Sequence, residues 1–192
     1  MSELKIGIIL GSTRPGRKGE KVARWVLEQA SNRSRASYEL IDLADHPLPH
    51  LDEAMPPMMG QYAHEPTKVW AATIAKYDGY IFVTPEYNHS TSGVLKNAID
   101  YLYREWNNKA AGFVSYGYNA SGARAVEHLR LIVGELQIAD VRAQVGVSLA
   151  TDYDNLASGN AAPSLESNLT EMFDQVESWS GALKGVRDGA SH

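Results

Sequence analysis

The sequence predicts an α/β protein: a doubly wound sheet of five parallel strands, order 2-1-3-4-5, with helices on both faces. Three observations carry this. Short apolar runs alternate with longer stretches of helical period, the pattern of right-handed β-α-β crossovers. The apolar runs are continuous rather than alternating, as in strands buried on both faces. The chain has 192 residues, enough for five such units but short for a six-stranded order.

The elements follow in order. Leu4–Leu10 reads as the first strand, apolar except at Lys5 and Gly7. Residues 18–32 read as a helix with Val22, Trp25, Val26 and Gln29 on one stripe. Residues 37–43 form the second strand. An irregular stretch, 44–65, comes next, carrying Pro47, Pro49, Pro56, Pro57, Met55, Met58 and Met59. Loops this long are uncommon. It reads either as a surface loop tucked onto the body or as a lid or subunit contact with an adaptable apolar surface. After the helix that follows, residues 79–84 form the third strand, rich in β-branched and aromatic residues. Residues 92–103 are helical, with Val94, Ala98 and Leu102 beside Leu95 and Ile99. Residues 111–116 are the fourth strand, and 121–136 an amphipathic helix on Val126, Leu129, Val133 and Leu136. Residues 140–147 are the fifth strand. Leu165, Leu169, Met172, Val176, Trp179 and Leu183 mark a last helix, and the tail beyond Lys184 is expected to fray. No boundary or repeat divides the chain, so 1–192 is read as one domain.

Composition narrows the chemistry. There is no cysteine, which excludes disulfides, thiolate zinc sites, iron–sulfur clusters and thiol nucleophiles. A net charge of −5 argues against a general nucleic-acid binder. The N-terminal apolar run is too short to span a bilayer and lacks a small-residue cleavage site, so no membrane association and a cytoplasmic location are expected.

In an open parallel sheet, ligands bind beyond the carboxyl ends of the strands near the switch in strand order. The loop after the first strand, Gly11 to Gly19, contains three glycines, the hydroxyls of Ser12 and Thr13, and the cations Arg14, Arg17 and Lys18. With the amides from Arg17 to Glu20 at a helix start, this is a cradle for an anion. There is no Gly-x-Gly-x-x-Gly fingerprint. Gly11 and Gly16 have Walker A spacing, but Arg17 and Lys18 stand where Lys and a hydroxyl belong. A monophosphate fits better than a triphosphate. The loop after the third strand runs Thr84-Pro85-Glu86-Tyr87-Asn88-His89, and the loop after the fourth Ser115-Tyr116-Gly117-Tyr118-Asn119. Both supply amides and aromatic rings suited to a planar heterocycle. Together the three loops describe a mononucleotide site, with FMN the natural candidate.

On these residues the chain resembles the NADPH-dependent FMN reductases of the flavodoxin-like superfamily. The resemblance rests on Gly11-Ser12-Thr13-Arg14, Pro85-Glu86-Tyr87-Asn88, Gly93-Val94-Leu95-Lys96-Asn97-Ala98-Ile99-Asp100 and Ser115-Tyr116-Gly117, in order over nearly the whole chain. It implies that Ser12 and Arg14 bind the FMN phosphate, and that Pro85, Glu86, Tyr87 and Asn88 line the ribityl chain and ring. Ser115 and Gly117 would meet the ring's other side. The remaining expected cofactor residues are Thr13, Arg17, Lys18, Gly19, Glu20 and Tyr116. The chain departs from the family in having Arg17 and Gly19 where many members have Ser and Asn. Ser92 replaces the usual Pro and is expected to loosen its turn. Tyr101 and Ala123 replace a usual Trp and a frequent Gly.

The resemblance further implies hydride transfer from NADPH or NADH to FMN, then from the flavin to quinones or similar acceptors, in a ping-pong cycle with no catalytic side chain. A homodimer or larger homo-oligomer is expected. Spare positive charge at Arg17 or Lys18 is suited to NADPH phosphate. His89 reads as an exposed loop histidine. Trp106, Tyr116 and Tyr118 are candidate walls of the substrate cleft, with core or interface packing as the competing reading. Trp70 and Trp179 are read as core or interface. Two other classes compete: a non-catalytic flavin-binding or redox-sensing module, and an interaction protein working through the 44–65 loop. A hydrolase is disfavoured, since no Gly-x-Ser-x-Gly elbow occurs.

Overall fold

Five parallel strands, β1 (Leu4–Leu10), β2 (Ala36–Asp42), β3 (Gly79–Pro85), β4 (Lys109–Gly117) and β5 (Ile138–Ser148), form one sheet of order β2-β1-β3-β4-β5. The structure is a computed structural model describing residues 3–189. The expected strand order is observed.

Period-two geometry sorts the strand residues into two layers. On one face Ile6, Ile8, Leu10, Ile81 and Val83 pack against α1 (Gly19–Ala30) and α6 (Pro163–Gly189). On the other, Ile9, Tyr80, Phe82, Ala111 and Phe113 pack against α2 (Glu65–Ala75), α3 (Gly93–Asp100) and α4 (Ala123–Glu135). Because both faces are covered, the central strands are mostly apolar. Every residue of β3 and β4 is buried. Trp70 and Trp106 lie at the heart of the second layer, Trp106 edge-on to Tyr80 at 4.9 Å between ring centroids. Both tryptophans are therefore core, whereas Trp179 is half exposed.

Several boundaries move, each for a physical reason. β4 begins at Lys109, two residues early, because that buried ammonium donates to the Ile74 carbonyl and the Tyr80 hydroxyl. α3 stops at Asp100, yet Tyr101, Leu102 and Trp106 continue into the core through turns. A short helix not expected from sequence, α5 (Tyr153–Ala157), follows β5. The tail does not fray at Lys184: α6 runs to Gly189, with Lys184 and Arg187 both paired to Asp78. Residues 190–192 lie outside the described residues.

The 44–65 stretch is a surface loop laid over α3. The Asn97 amide donates to the Pro49 carbonyl at 2.7 Å and accepts from the Leu51 amide at 3.0 Å. Tyr62 donates to Glu105 at 2.8 Å. Two single 3-10 turns interrupt the loop, and Met55, Met58 and Met59 remain exposed. Among the described residues no helix is long and apolar enough to cross a membrane.

Candidate active site

The loops after β1, β3, β4 and β5 meet at the carboxyl end of the sheet and enclose an open cleft of about 300 Å³. Ser12, Arg14, Arg17 and Lys18 line it from the first loop; Pro85, Glu86 and Tyr87 from the second; Tyr116 and Gly117 from the third. Gly16, Tyr118 and Leu149 complete the wall.

The β1 loop leads straight into α1, whose N-cap is Lys18. That side chain accepts nothing, so the first amides of α1 have no side-chain cap and present partial positive charge. Ser12 is fully buried at the turn, its hydroxyl 3.1 Å from that of Tyr87, which ties the first loop to the second. The three expected cations behave differently. Arg17 is held by both carboxylate oxygens of Asp42 and by the Ser12 carbonyl. Its charge is already matched, so it is not the free cation the sequence suggests. Arg14 is exposed, 6.0 Å over the Tyr87 ring, and Lys18 is half-buried, 4.0 Å over the ring of Tyr153 in α5. Thr13 is exposed and off the cleft wall, and Glu20 pairs with Arg24 along α1.

The β3 loop is a two-residue hairpin. Tyr87 and Ser90 exchange backbone hydrogen bonds of 2.9 and 3.1 Å, with Asn88 and His89 at φ 49° and 73° between them. Positive φ at both central positions is the type I′ arrangement, in which Asn is favoured. Asn88 and His89 therefore stand exposed at the tip, and neither lines the cleft. Glu86 points the other way. It is nearly buried and paired with Arg124 on the first turn of α4, with its Oε2 and the Arg124 Nε both lacking a partner. Arg124 is not expected from sequence, since its partner Glu86 lies far away along the chain, on the loop after β3.

The β4 loop divides its tasks. Ser115 faces away from the cleft and donates to the Ser121 carbonyl at 2.8 Å, holding the turn into α4. Its hydroxyl therefore braces the loop, and Ser115 is not among the residues that line the cleft. Gly122 completes that turn at φ 82°, and a Cβ there would lie 2.7 Å from that of Ser115. Gly117 lines the cleft. Tyr118 is exposed at its mouth, and Tyr116 is buried, with burial pushing its phenol well above the ordinary value. Trp106 is fully buried in the α2–α3–α4 layer and forms no part of the cleft.

Ser92, expected to loosen the turn before α3, tightens it. Its hydroxyl accepts from the Leu95 amide at 3.2 Å as an N-cap and donates to the Gly11 carbonyl. The β1 loop and the start of α3 are thereby joined.

Residues 4–152 match the family model described as NADPH-dependent FMN reductase. The chain is 38% identical over 164 residues to an NAD(P)H-dependent FMN reductase of Schizosaccharomyces pombe, covering 84% of this chain and 80% of that protein. It is 32% identical over 186 residues to a 2-hydroxy-1,4-benzoquinone reductase of a Burkholderia species, covering 92% and 96%. Among solved structures, the flavoenzyme NAD(P)H:(acceptor) oxidoreductase of Paracoccus denitrificans superimposes with a TM-score of 0.71 at 21% identity, covering 91% of this chain and 98% of that one.

Proposed function

The chain belongs to the NADPH-dependent FMN reductase family and is an FMN-dependent oxidoreductase using NAD(P)H; from that premise we propose how the cleft works and what it reduces. The observation that carries the proposal is the convergence of an uncapped helix N-terminus, two unmatched cations and two ring-bearing loops on one cleft. The residues fit the cofactor. Ser12, Arg14 and the first amides of α1 suit its phosphate. Tyr87 and Pro85 suit one side of a flat ring, and Gly117 allows the backbone to approach the other.

When bound, FMN supplies the hydride-accepting and hydride-donating chemistry. The chain's residues bind, orient and set the local charge. The N-terminal end of α4, reached through Gly122, supplies amides and a dipole suited to stabilising negative charge on a reduced ring. With Arg17 paired to Asp42 and Arg14 suited to the FMN phosphate, Lys18 is the cation left for a nicotinamide cofactor's phosphates. No side chain in the cleft is needed as a nucleophile or obligatory base. The open mouth, with Tyr118 and Leu149 on its rim, suits planar organic acceptors; the quinone-reducing relative supports quinones as one class. Donor and acceptor would use the same space in turn, which is a ping-pong cycle, and the working unit would be a homo-oligomer.

Initial rates measured over a grid of NADPH and quinone concentrations test this. Parallel double-reciprocal lines are expected. Lines that intersect mean both substrates are bound at once and contradict the cycle.

A further inference from the structure

Tyr116, next to the last residue of β4, directs its side chain at the phosphate loop rather than at the mouth of the cleft. The residue is 5% exposed, and its hydroxyl is buried without a hydrogen-bond partner among the described residues. An unsatisfied buried hydroxyl is destabilising, so its retention calls for an explanation. The hydroxyl lies against Gly19, the first residue of α1: a Cβ there would collide with it and would lie 2.9 Å from the Tyr116 Cζ. Glycine at the helix start therefore makes room for the phenol. The same helix start lacks a side-chain cap. Ser12 and Tyr87, whose hydroxyls bond each other, line the same part of the cleft.

We propose that the Tyr116 hydroxyl donates directly to the phosphate of the bound mononucleotide, completing an anion site whose other members are the α1 amides and Ser12. The proposal rests on FMN occupying the cleft. Burial keeps the phenol protonated throughout the working pH range, so it acts as a donor and never as a competing anion. Tyr116 is then a specificity residue for a phosphomonoester, selecting FMN over the same ring without its phosphate. Gly19 and Tyr116 form a matched pair, the absent side chain of one admitting the hydroxyl of the other.

The test is flavin fluorescence quenching on titrating full-length, flavin-free protein with FMN and, separately, with riboflavin, in the wild type and in Tyr116→Phe. The wild type is expected to prefer FMN. Tyr116→Phe should weaken FMN about tenfold or more and leave riboflavin within about twofold, as for loss of one hydrogen bond to a charged group. The flavin-free variant should melt no lower than the wild type, because an unpaired buried hydroxyl has been removed. Equal weakening of both flavins, or no weakening of FMN, overturns the proposal. A wild type that binds neither flavin instead overturns the assignment of FMN to this cleft, and the two failures are thus distinguishable.

Discussion

The Arg17 guanidinium closes over both carboxylate oxygens of Asp42 and, through the same Nη1 that bonds Oδ1 at 2.8 Å, reaches back to the Ser12 carbonyl. One of the three cations between Arg14 and Lys18 is thus matched by the end of β2. Its work is to hold the backbone at Ser12 in shape. Arg17→Ala should weaken FMN binding about tenfold, the scale of a lost charged hydrogen bond. The ratio of kcat/KM for NADPH to that for NADH should stay unchanged. A selective loss of NADPH use would assign Arg17 to the nicotinamide cofactor instead.

Lys18 carries the complementary prediction. Its ammonium is stacked on Tyr153 and, among the described residues, is paired with no carboxylate. Lys18→Ala should lower the NADPH-to-NADH ratio of kcat/KM by about three- to tenfold, the range for a partly screened charge contact. The effect should shrink as salt rises. A ratio indifferent to both the substitution and salt would leave Arg14 as the cation that matters.

Glu86 and Arg124 tie the loop after β3 to the first turn of α4. Arg124→Ala would strand a carboxylate whose side chain is only 7% exposed. The cost should be about 2 kcal/mol, below that of a fully buried pair because Arg124 itself is partly in water. Adding Glu86→Gln should recover much of that loss. Urea unfolding of the two single variants and the double variant checks the coupling. Additive effects would show that the pair does not act as a unit.

The fold was legible because burial on both faces leaves its mark on the central strands: Leu4–Leu10 and Gly79–Pro85 are mostly apolar runs bounded by glycine, aspartate or loop residues. What was not legible depended on partners distant in the chain. Lys109 looks like a strand terminator until the Ile74 carbonyl and Tyr80 hydroxyl are seen to receive it. Arg17 looks like free charge until Asp42, 25 residues away, is brought beside it. Asn88 belongs to the right motif, yet a left-handed turn points it outward, and motif matching carries no φ angles. Ser92 was read by what it lacks relative to proline; its hydroxyl makes two bonds that proline could not. Tyr153–Ala157 is too short for a helical period to register.

Lys109 also sets a pH dependence. Burial lowers its ammonium to about 7, reinforced by Arg187 and opposed by Asp78 and Glu105. In the unfolded chain it titrates near 10.5. Between these values the unfolded state binds the extra proton, so stability should rise with pH from about 7 towards 10. Below pH 7 the native state carries the buried charge and the full penalty. Lys109→Met should therefore stabilise the protein by about 1–2 kcal/mol at pH 6, with the gain fading by pH 10. The Tyr80 hydroxyl still satisfies the Ile74 carbonyl, at 2.8 Å. Urea midpoints measured at pH 6, 8 and 10 check this, and a gain that is the same at all three would contradict it.

The most direct measurement is an anaerobic titration of the FMN-loaded protein with NADPH, followed through the visible flavin band, with a quinone added at the end. The band should bleach with one equivalent of NADPH per flavin and return when quinone is added. A band that stays unbleached by both NADPH and NADH, or protein that takes up no FMN, would contradict the assignment of this cleft as a flavin reductase site.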